Sequence, residues 1–213
     1  MTKLLLIRHG ESQANRQAVF AGQYDPVLTD TGRLQAELTA EFVAQHYPVE
    51  CVYASDLQRA YATGLCLARK LDIPVIKNSG LREISAGHWE KMKFTQIEET
   101  YPVQYEVWRN HIGNARCVGG ESVCELADRV MATLTRIARE NDGKTVAIAT
   151  HATPIRAMQS LVQSGTVALM EQIPWVSNAS VTELTYENGE WKLGAVSLDS
   201  HLANAATHLP ANV

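Results

Sequence analysis

Residues Leu4-Leu5-Leu6-Ile7 form an unbroken apolar run that passes directly into Arg8-His9-Gly10. Four apolar residues in a row, with no polar alternation, read as a strand buried on both faces. A strand of that kind belongs inside an α/β sheet, and open α/β sheets bind their ligands beyond the carboxyl ends of their strands. A cation, an imidazole and a glycine at such an end are therefore placed where chemistry can happen. The triplet alone is also compatible with an ordinary loop, so the rest of the chain must decide.

The pattern of the first strand repeats. Cys51-Val52-Tyr53-Ala54, Pro74-Val75-Ile76 and Lys144 to Thr150 are further strand candidates. Between them lie segments with helical spacing. Thr29-Asp30-Thr31-Gly32 opens a helix carrying Leu34, Leu38 and Phe42. Ser55 or Asp56 is placed to cap a helix running to about Lys70. Val123, Leu126, Ala127, Val130, Met131, Leu134 and Ile137 line one face of a long helix that Asn141-Asp142-Gly143 stops. A further helix is expected from about Pro154. Asn188-Gly189 between two β-prone runs, 179–187 and 190–196, is a strong hairpin signal and adds an antiparallel edge. The expected fold is α/β: a three-layer sandwich with a mainly parallel sheet, an antiparallel edge strand and helices on both faces. Residues 1–213 are taken as one domain. The stretch from Gly87 to Gly120, with Trp89, Tyr101, Pro102, Tyr105 and Trp108, breaks the alternation and reads as a small helical lid insertion. The tail from Leu198 to Val213 is expected to be loosely held.

Composition limits the partners. The net charge of −4 gives no basic surface for nucleic acid, and no segment reaches transmembrane length. Cys51, Cys66, Cys117 and Cys124 lack metal-ligand spacing and read as reduced thiols. With no N-terminal signal visible, the expectation is a cytoplasmic protein that binds neither membrane nor nucleic acid, with homodimerisation left open.

In a parallel sheet the strand ends face one way, so Arg8, His9, Arg59, Glu83 and His151 should converge although they are scattered in sequence. Two arginines and two histidines suit a doubly charged oxyanion, that is, a phosphoryl group. Neither a Walker-type loop nor an aspartate cluster for magnesium is present. Transfer through a nucleophilic imidazole, without cofactor or metal, is the natural chemistry for such a set. His9 is the nucleophile candidate, and Glu83 is the carboxylate placed to protonate a leaving oxygen. Each residue has a plainer reading: a core histidine at 151, a surface ion pair at Arg59, a Glu83–Arg82 pair. A metal site on His9, His151 and Glu83 is disfavoured by the two arginines beside it. His46, His111, His201 and His208 read as surface or structural, and Trp108-Arg109 as lid packing with Arg109 able to reach substrate.

Arg8-His9-Gly10-Glu11-Ser12 with Asn15 resembles the signature of the histidine phosphatase superfamily, the phosphoglycerate mutase-like proteins. The segments 55–63, Leu81-Arg82-Glu83 with Gly87 and Trp89-Glu90, 119–122, Thr150-His151 with Pro154-Ile155-Arg156, and 178–182 resemble its later motifs in order. The resemblance implies that His9 becomes phosphohistidine and that Arg8, Arg59 and His151 hold phosphoryl oxygens. It implies a side-chain donor at Asn15, backbone contacts at Gly22 and Ala152, and Glu83 as proton donor and then base. Glu11 is a lesser acid candidate. Two departures stand out: Ala152 follows the second histidine where glycine is common, and His88 and Lys91 replace residues of the usual third motif at the pocket rim. The function implied is a metal-independent phosphomonoester hydrolase acting on a small phosphorylated metabolite. One alternative is a cofactor-dependent phosphoglycerate mutase, disfavoured by Ala86, by the single Arg109 and by the chain's length. The other is a catalytically weak phosphate-binding or regulatory protein.

Overall fold

The computed structural model describes residues 1–207. In chain order the elements are β1 (Thr2–Arg8), α1 (Gln13–Arg16), α2 (Asp30–His46), β2 (Val49–Ala54), α3 (Gln58–Leu71), β3 (Val75–Lys77), α4 (Phe94–Thr100), α5 (Pro102–Asn110), α6 (Val123–Glu140), β4 (Thr145–Thr150), α7 (Ala152–Ser164), β5 (Val181–Glu187) and β6 (Glu190–Leu193), with short 3-10 turns between. The strands form one sheet in the order β3-β2-β4-β1-β5-β6. The pairs β2–β3, β2–β4 and β1–β4 are parallel, whereas β1–β5 and β5–β6 are antiparallel. This is the expected α/β sandwich with its antiparallel edge. Asn188 and Gly189, both at positive φ (53° and 89°), turn the β5–β6 hairpin as their sequence predicts.

Side-chain alternation along β1 divides the core in two. Leu4 and Leu6 point to one face, where α6 and α7 cover them with Val130, Leu134 and Ile155. Leu5 and Ile7 point to the other, against Ala40 and Val43 of α2 and Leu67 and Ala68 of α3. An all-apolar strand is thus required because both faces of β1 are covered. The amphipathic α6 begins at Ser122, whose hydroxyl accepts from the Glu125 amide while Glu125 accepts from the Ser122 amide. The segment 87–120 folds as expected into short helices over the strand ends. Its Trp89, Tyr105 and Trp108 pack with Phe20 into the α6–α7 side of the core.

Three expectations are corrected. Neither Ser55 nor Asp56 caps α3: the cap residue is Leu57, and the Gln58 amide instead donates to Asp25 Oδ1 at 2.7 Å. Helix α7 starts at Ala152, two residues before Pro154. The tail is well anchored through Thr207: Leu198 pairs with Val181, and a turn over 200–205 packs on α2. There His201 stacks on Phe42 at 4.5 Å and lies 3.0 Å from Thr39 Oγ1, while Gln35 donates to the Ala205 carbonyl. His208 lies outside the described residues. Among those residues no helix is long and apolar enough to cross a membrane. All four cysteines are free.

Candidate active site

Backbone pairing carries the nucleophile candidate just past the sheet. The His9 amide donates to the Thr150 carbonyl (3.0 Å), and its own carbonyl accepts from the Ala179 amide (3.2 Å) and Asn178 Nδ2 (3.0 Å). The Ser55 amide continues β2 by donating to Ala149 (2.9 Å). The ends of β1, β2 and β4 therefore bring His9, Ser55 and His151 together, as parallel topology requires. Gly10 does not serve as a left-handed turn residue. Its α-carbon sits so close to the Gly32 carbonyl that a Cβ would overlap it, and a Cβ on Gly32 would in turn overlap the Glu11 carbonyl. The first turn of α2 thus lies directly against the nucleophile loop.

His9 is held in one tautomer. Its Nδ1–H donates to the Gly10 carbonyl (2.7 Å), which leaves the lone pair on Nε2, where Arg59 Nε donates at 3.2 Å. Burial, followed by the Arg59 and Arg8 cations, holds the His9 pKa well below that of an ordinary imidazole. The ring is therefore neutral near pH 7. Arg59 is buried on α3 and spends its other donors on the carbonyls of Tyr24 (3.0 Å) and Gly22 (2.8 Å). Thr63, one turn later, donates to the Arg59 carbonyl and accepts from the Gly10 amide, tying α3 to the nucleophile loop. Arg8 donates through Nη1 to the Val176 carbonyl (2.6 Å), while its buried Nε has no partner among the described residues. Burial lowers the pKa of both arginines to about 10, so both remain cationic near neutrality.

His151 sits behind His9, its ring centroid 5.2 Å away in an edge-to-face arrangement. It is fully buried and does not form part of the open pocket wall. Its Nε2 lies 2.9 Å from Ser55 Oγ, and that oxygen already accepts from the Leu57 amide (3.3 Å). Ser55 Oγ and His151 Nε2 share one proton, and in the tautomer in which the hydroxyl donates it the ring proton lies on Nδ1. Nδ1 is buried and unpartnered. Burial, then Arg59, keeps this ring neutral as well. An orphaned buried donor costs about 1–3 kcal/mol. Arg8 Nε and His151 Nδ1 are thus two buried nitrogens without a partner among the described residues.

Glu83 lines the pocket. One carboxylate oxygen accepts from the Ile84 amide (2.8 Å) and the other from the Thr153 amide (3.4 Å) in the first turn of α7. It does not pair with Arg82, which is bound to Asp56 at 2.7 and 2.5 Å. Arg129 fixes the Glu83 loop from below, donating to the carbonyls of Gly80, Arg82 and Glu83 while bound to Glu121. Asn15 Oδ1 accepts from Ser12 and from Asn178, so the amide nitrogen of its side chain is turned to the pocket it lines. Gly22 and Ala152 line the same pocket, Gly22 at φ +52° against Ala86. Glu11 is not an acid for this site, since it binds Arg16 (2.8 Å) and Thr29 (2.6 Å) away from it. His88 meets Tyr101, and Lys91 lies over the Tyr24 ring, so neither reaches the pocket wall. Arg109 is bound to Glu98. Among the described residues no three His, Cys, Asp or Glu side chains are grouped to hold a metal ion.

The sequence did not reveal the orienting groups. Ser55 sits inside a recognisable segment, but its link to His151 spans 96 residues. Thr63, Asn178 and Arg129 act through equally long-range contacts, and Phe94 and Trp175 enter the pocket wall without any periodic signal.

The chain resembles known proteins in sequence and in fold. The sequence profile of the histidine phosphatase superfamily (branch 1) matches residues 4–199. The chain is 33% identical over 158 residues to phosphoserine phosphatase 1 of Hydrogenobacter thermophilus, covering 74% of each chain. It is 30% identical over 206 residues to a metal-independent phosphoserine phosphatase of Arabidopsis thaliana, covering 96% of this chain and 84% of that one. The fold superposes on a mycobacterial glucosyl-3-phosphoglycerate phosphatase solved with VO3 at a TM-score of 0.85 and 27% identity, over 92% of this chain and 99% of that one.

Proposed function

The chain belongs to the histidine phosphatase superfamily (branch 1), and from that premise we propose that it hydrolyses small phosphomonoesters without a metal, through a phosphohistidine at His9. The observation that carries this reading is the pairing at His9. Nδ1 is fixed by the Gly10 carbonyl, so Nε2 presents its lone pair into a pocket lined by Arg8, Arg59 and Glu83. Such an imidazole is nucleophilic without prior deprotonation.

In the first step the His9 Nε2 lone pair forms a bond to phosphorus as the ester P–O bond breaks. The Glu83 carboxyl gives its proton to the departing alcohol oxygen. Arg8, Arg59 and the Nδ1–H of His151 stabilise charge on the equatorial oxygens, with Asn15 and the amides at Gly22 and Ala152 beside them. Arg59 Nε, which donates to Nε2, moves its hydrogen bond to a phosphoryl oxygen when substrate enters. In the second step water attacks phosphorus, Glu83 takes its proton, and the P–N bond breaks to release inorganic phosphate.

Purified protein is expected to turn over p-nitrophenyl phosphate in the presence of EDTA. Quenching in alkaline detergent with radiolabelled substrate would leave a label on the protein that is stable in base and lost in acid. His9→Ala should lose both turnover and label. A fully active His9→Ala protein, or activity that EDTA removes and a metal restores, would contradict the mechanism. Efficient interconversion of phosphoglycerates in place of phosphate release would favour the mutase alternative.

A further inference from the structure

The pocket is lined by two unlike sets of side chains. Arg8, His9, Asn15 and Arg59 belong to the polar set, and Val19, Phe20, Phe94, Trp108 and Trp175 form an apolar wall. Phe20 ties this wall together, its ring centroid 5.1 Å from Trp108 and 5.6 Å from Phe94. Trp108 and Phe20 are deeply buried, whereas Phe94 and Trp175 are half-buried.

The charged side chains lining the whole pocket are Arg8, Arg59 and Glu83. Both arginines serve the phosphoryl group, so among the described residues Glu83 is the remaining charged side chain of the lining. The nearby cations Arg109, Lys91 and Arg156 do not line this pocket. Arg109 is bound to Glu98, and Lys91 lies over Tyr24 at 4.8 Å. Arg156 donates to the carbonyls of Met170 and Ile173 through Nε and Nη2, stacks 4.0 Å from the Trp175 ring, and keeps a buried Nη1 without a partner among the described residues. It opens on a separate cavity, behind Trp108 and Trp175, with Arg109 and Glu171. A carboxylate on the leaving group would lose hydration against aromatic faces and meet Glu83 instead of a cation. A neutral ring would find edge-to-face and stacked partners.

We infer that this pocket selects phosphomonoesters of uncharged, ring-bearing alcohols and disfavours esters whose leaving group carries a carboxylate. The inference rests on the phosphatase reading above and narrows its substrate class. Phosphoserine, the substrate in the names of two relatives, carries such a carboxylate.

The test compares kcat/KM for benzyl phosphate, methyl phosphate, O-phosphoserine and 3-phosphoglycerate. All four are alkyl esters, so a preference for the ring cannot arise from the ease with which a phenol departs. Benzyl phosphate is expected to exceed O-phosphoserine and 3-phosphoglycerate at least tenfold. Phe94→Ala and Trp175→Ala should each lower the benzyl-to-methyl ratio at least fivefold. Equal or better use of either carboxylated ester would overturn the inference, as would an unchanged benzyl-to-methyl ratio in both variants. Such a result would point to a carboxylate arm reaching Arg156. Turnover of none of the four esters, and of no p-nitrophenyl phosphate, is the separate failure of the phosphatase reading and removes this inference with it.

Discussion

His9 and His151 are both buried, both neutral and only 5.2 Å apart, yet their hydrogen bonds assign them opposite tasks. The carbonyl of Gly10 takes the Nδ1 proton of His9 and leaves a lone pair for attack. In the proposed mechanism the hydroxyl of Ser55 gives a proton to Nε2 of His151, 2.9 Å away, and leaves an N–H to meet an oxyanion. Swapping either partner would reverse the role of the ring, because a neutral imidazole has one donor and one acceptor. Ser55 is therefore a positioning residue for His151. Ser55→Ala is expected to lower kcat on p-nitrophenyl phosphate tenfold to a hundredfold, the loss of about 1.5–3 kcal/mol for a hydrogen bond to a developing charge. Its phosphoenzyme should still form, more slowly, in rapid-quench labelling. An unchanged labelling rate would mean that the Nδ1 proton of His151 does not depend on Ser55.

At the scale of elements, the site is a consequence of how tightly α2 and α3 lie against the end of β1. Gly10 and Gly32 let two backbones approach closer than any side chain permits, and Thr63 of α3 links Arg59 to the Gly10 amide. Gly32→Ala must push α2 away from the nucleophile loop. It should cost about 1–3 kcal/mol by chemical denaturation and lower kcat more than KM, since the shift falls on His9 and not on the pocket wall. A variant of normal activity and stability would show that the two backbones can separate harmlessly. These contacts also explain what the sequence could and could not tell. The strands were legible because burial on two faces leaves an unbroken apolar run, and the convergence of Arg8, His9, Arg59, Glu83 and His151 followed from parallel topology. The Asn188-Gly189 hairpin was legible because only certain residues accept positive φ. The start of α3 was not, because its amide partner is Asp25, 33 residues upstream. The purpose of Gly10 was not either, because close approach to Gly32 leaves no local trace. Trp175 and Arg156 escaped notice as a pair because their stacking joins a loop to a helix across 19 positions.

Across the whole molecule, the fold encloses charge-bearing groups that its unfolded chain would leave in water. His9 and His151 are held below the ordinary imidazole range chiefly by burial and then by the neighbouring arginines, and His201 is lowered by burial against α2. A histidine whose folded pKa is depressed binds fewer protons in the native state than in the unfolded one. This imbalance begins as pH falls through about 6.5, where unfolded histidines protonate, and persists down to the folded pKa. Stability must therefore be highest above pH 6.5 and decline below it, by about 1.4 kcal/mol per pH unit for each histidine once the imbalance is complete. Asp56, lowered by its hydrogen bonds to Arg82, adds a loss of the same sign only at lower pH, below the ordinary carboxylate value. The window from pH 6.5 to 5 thus belongs to the histidines. Urea midpoints measured at pH 7.5, 6.0 and 5.0 should fall steadily, and the decline should be shallower in His151→Gln, which removes one of the buried rings. Phosphate or vanadate at pH 7.5 should raise the midpoint, because an oxyanion held by Arg8 and Arg59 binds the folded state alone. Midpoints that stay level from pH 7.5 to 5.0 would mean that His9 and His151 accept protons inside the fold, and an imidazolium at position 9 could not attack phosphorus.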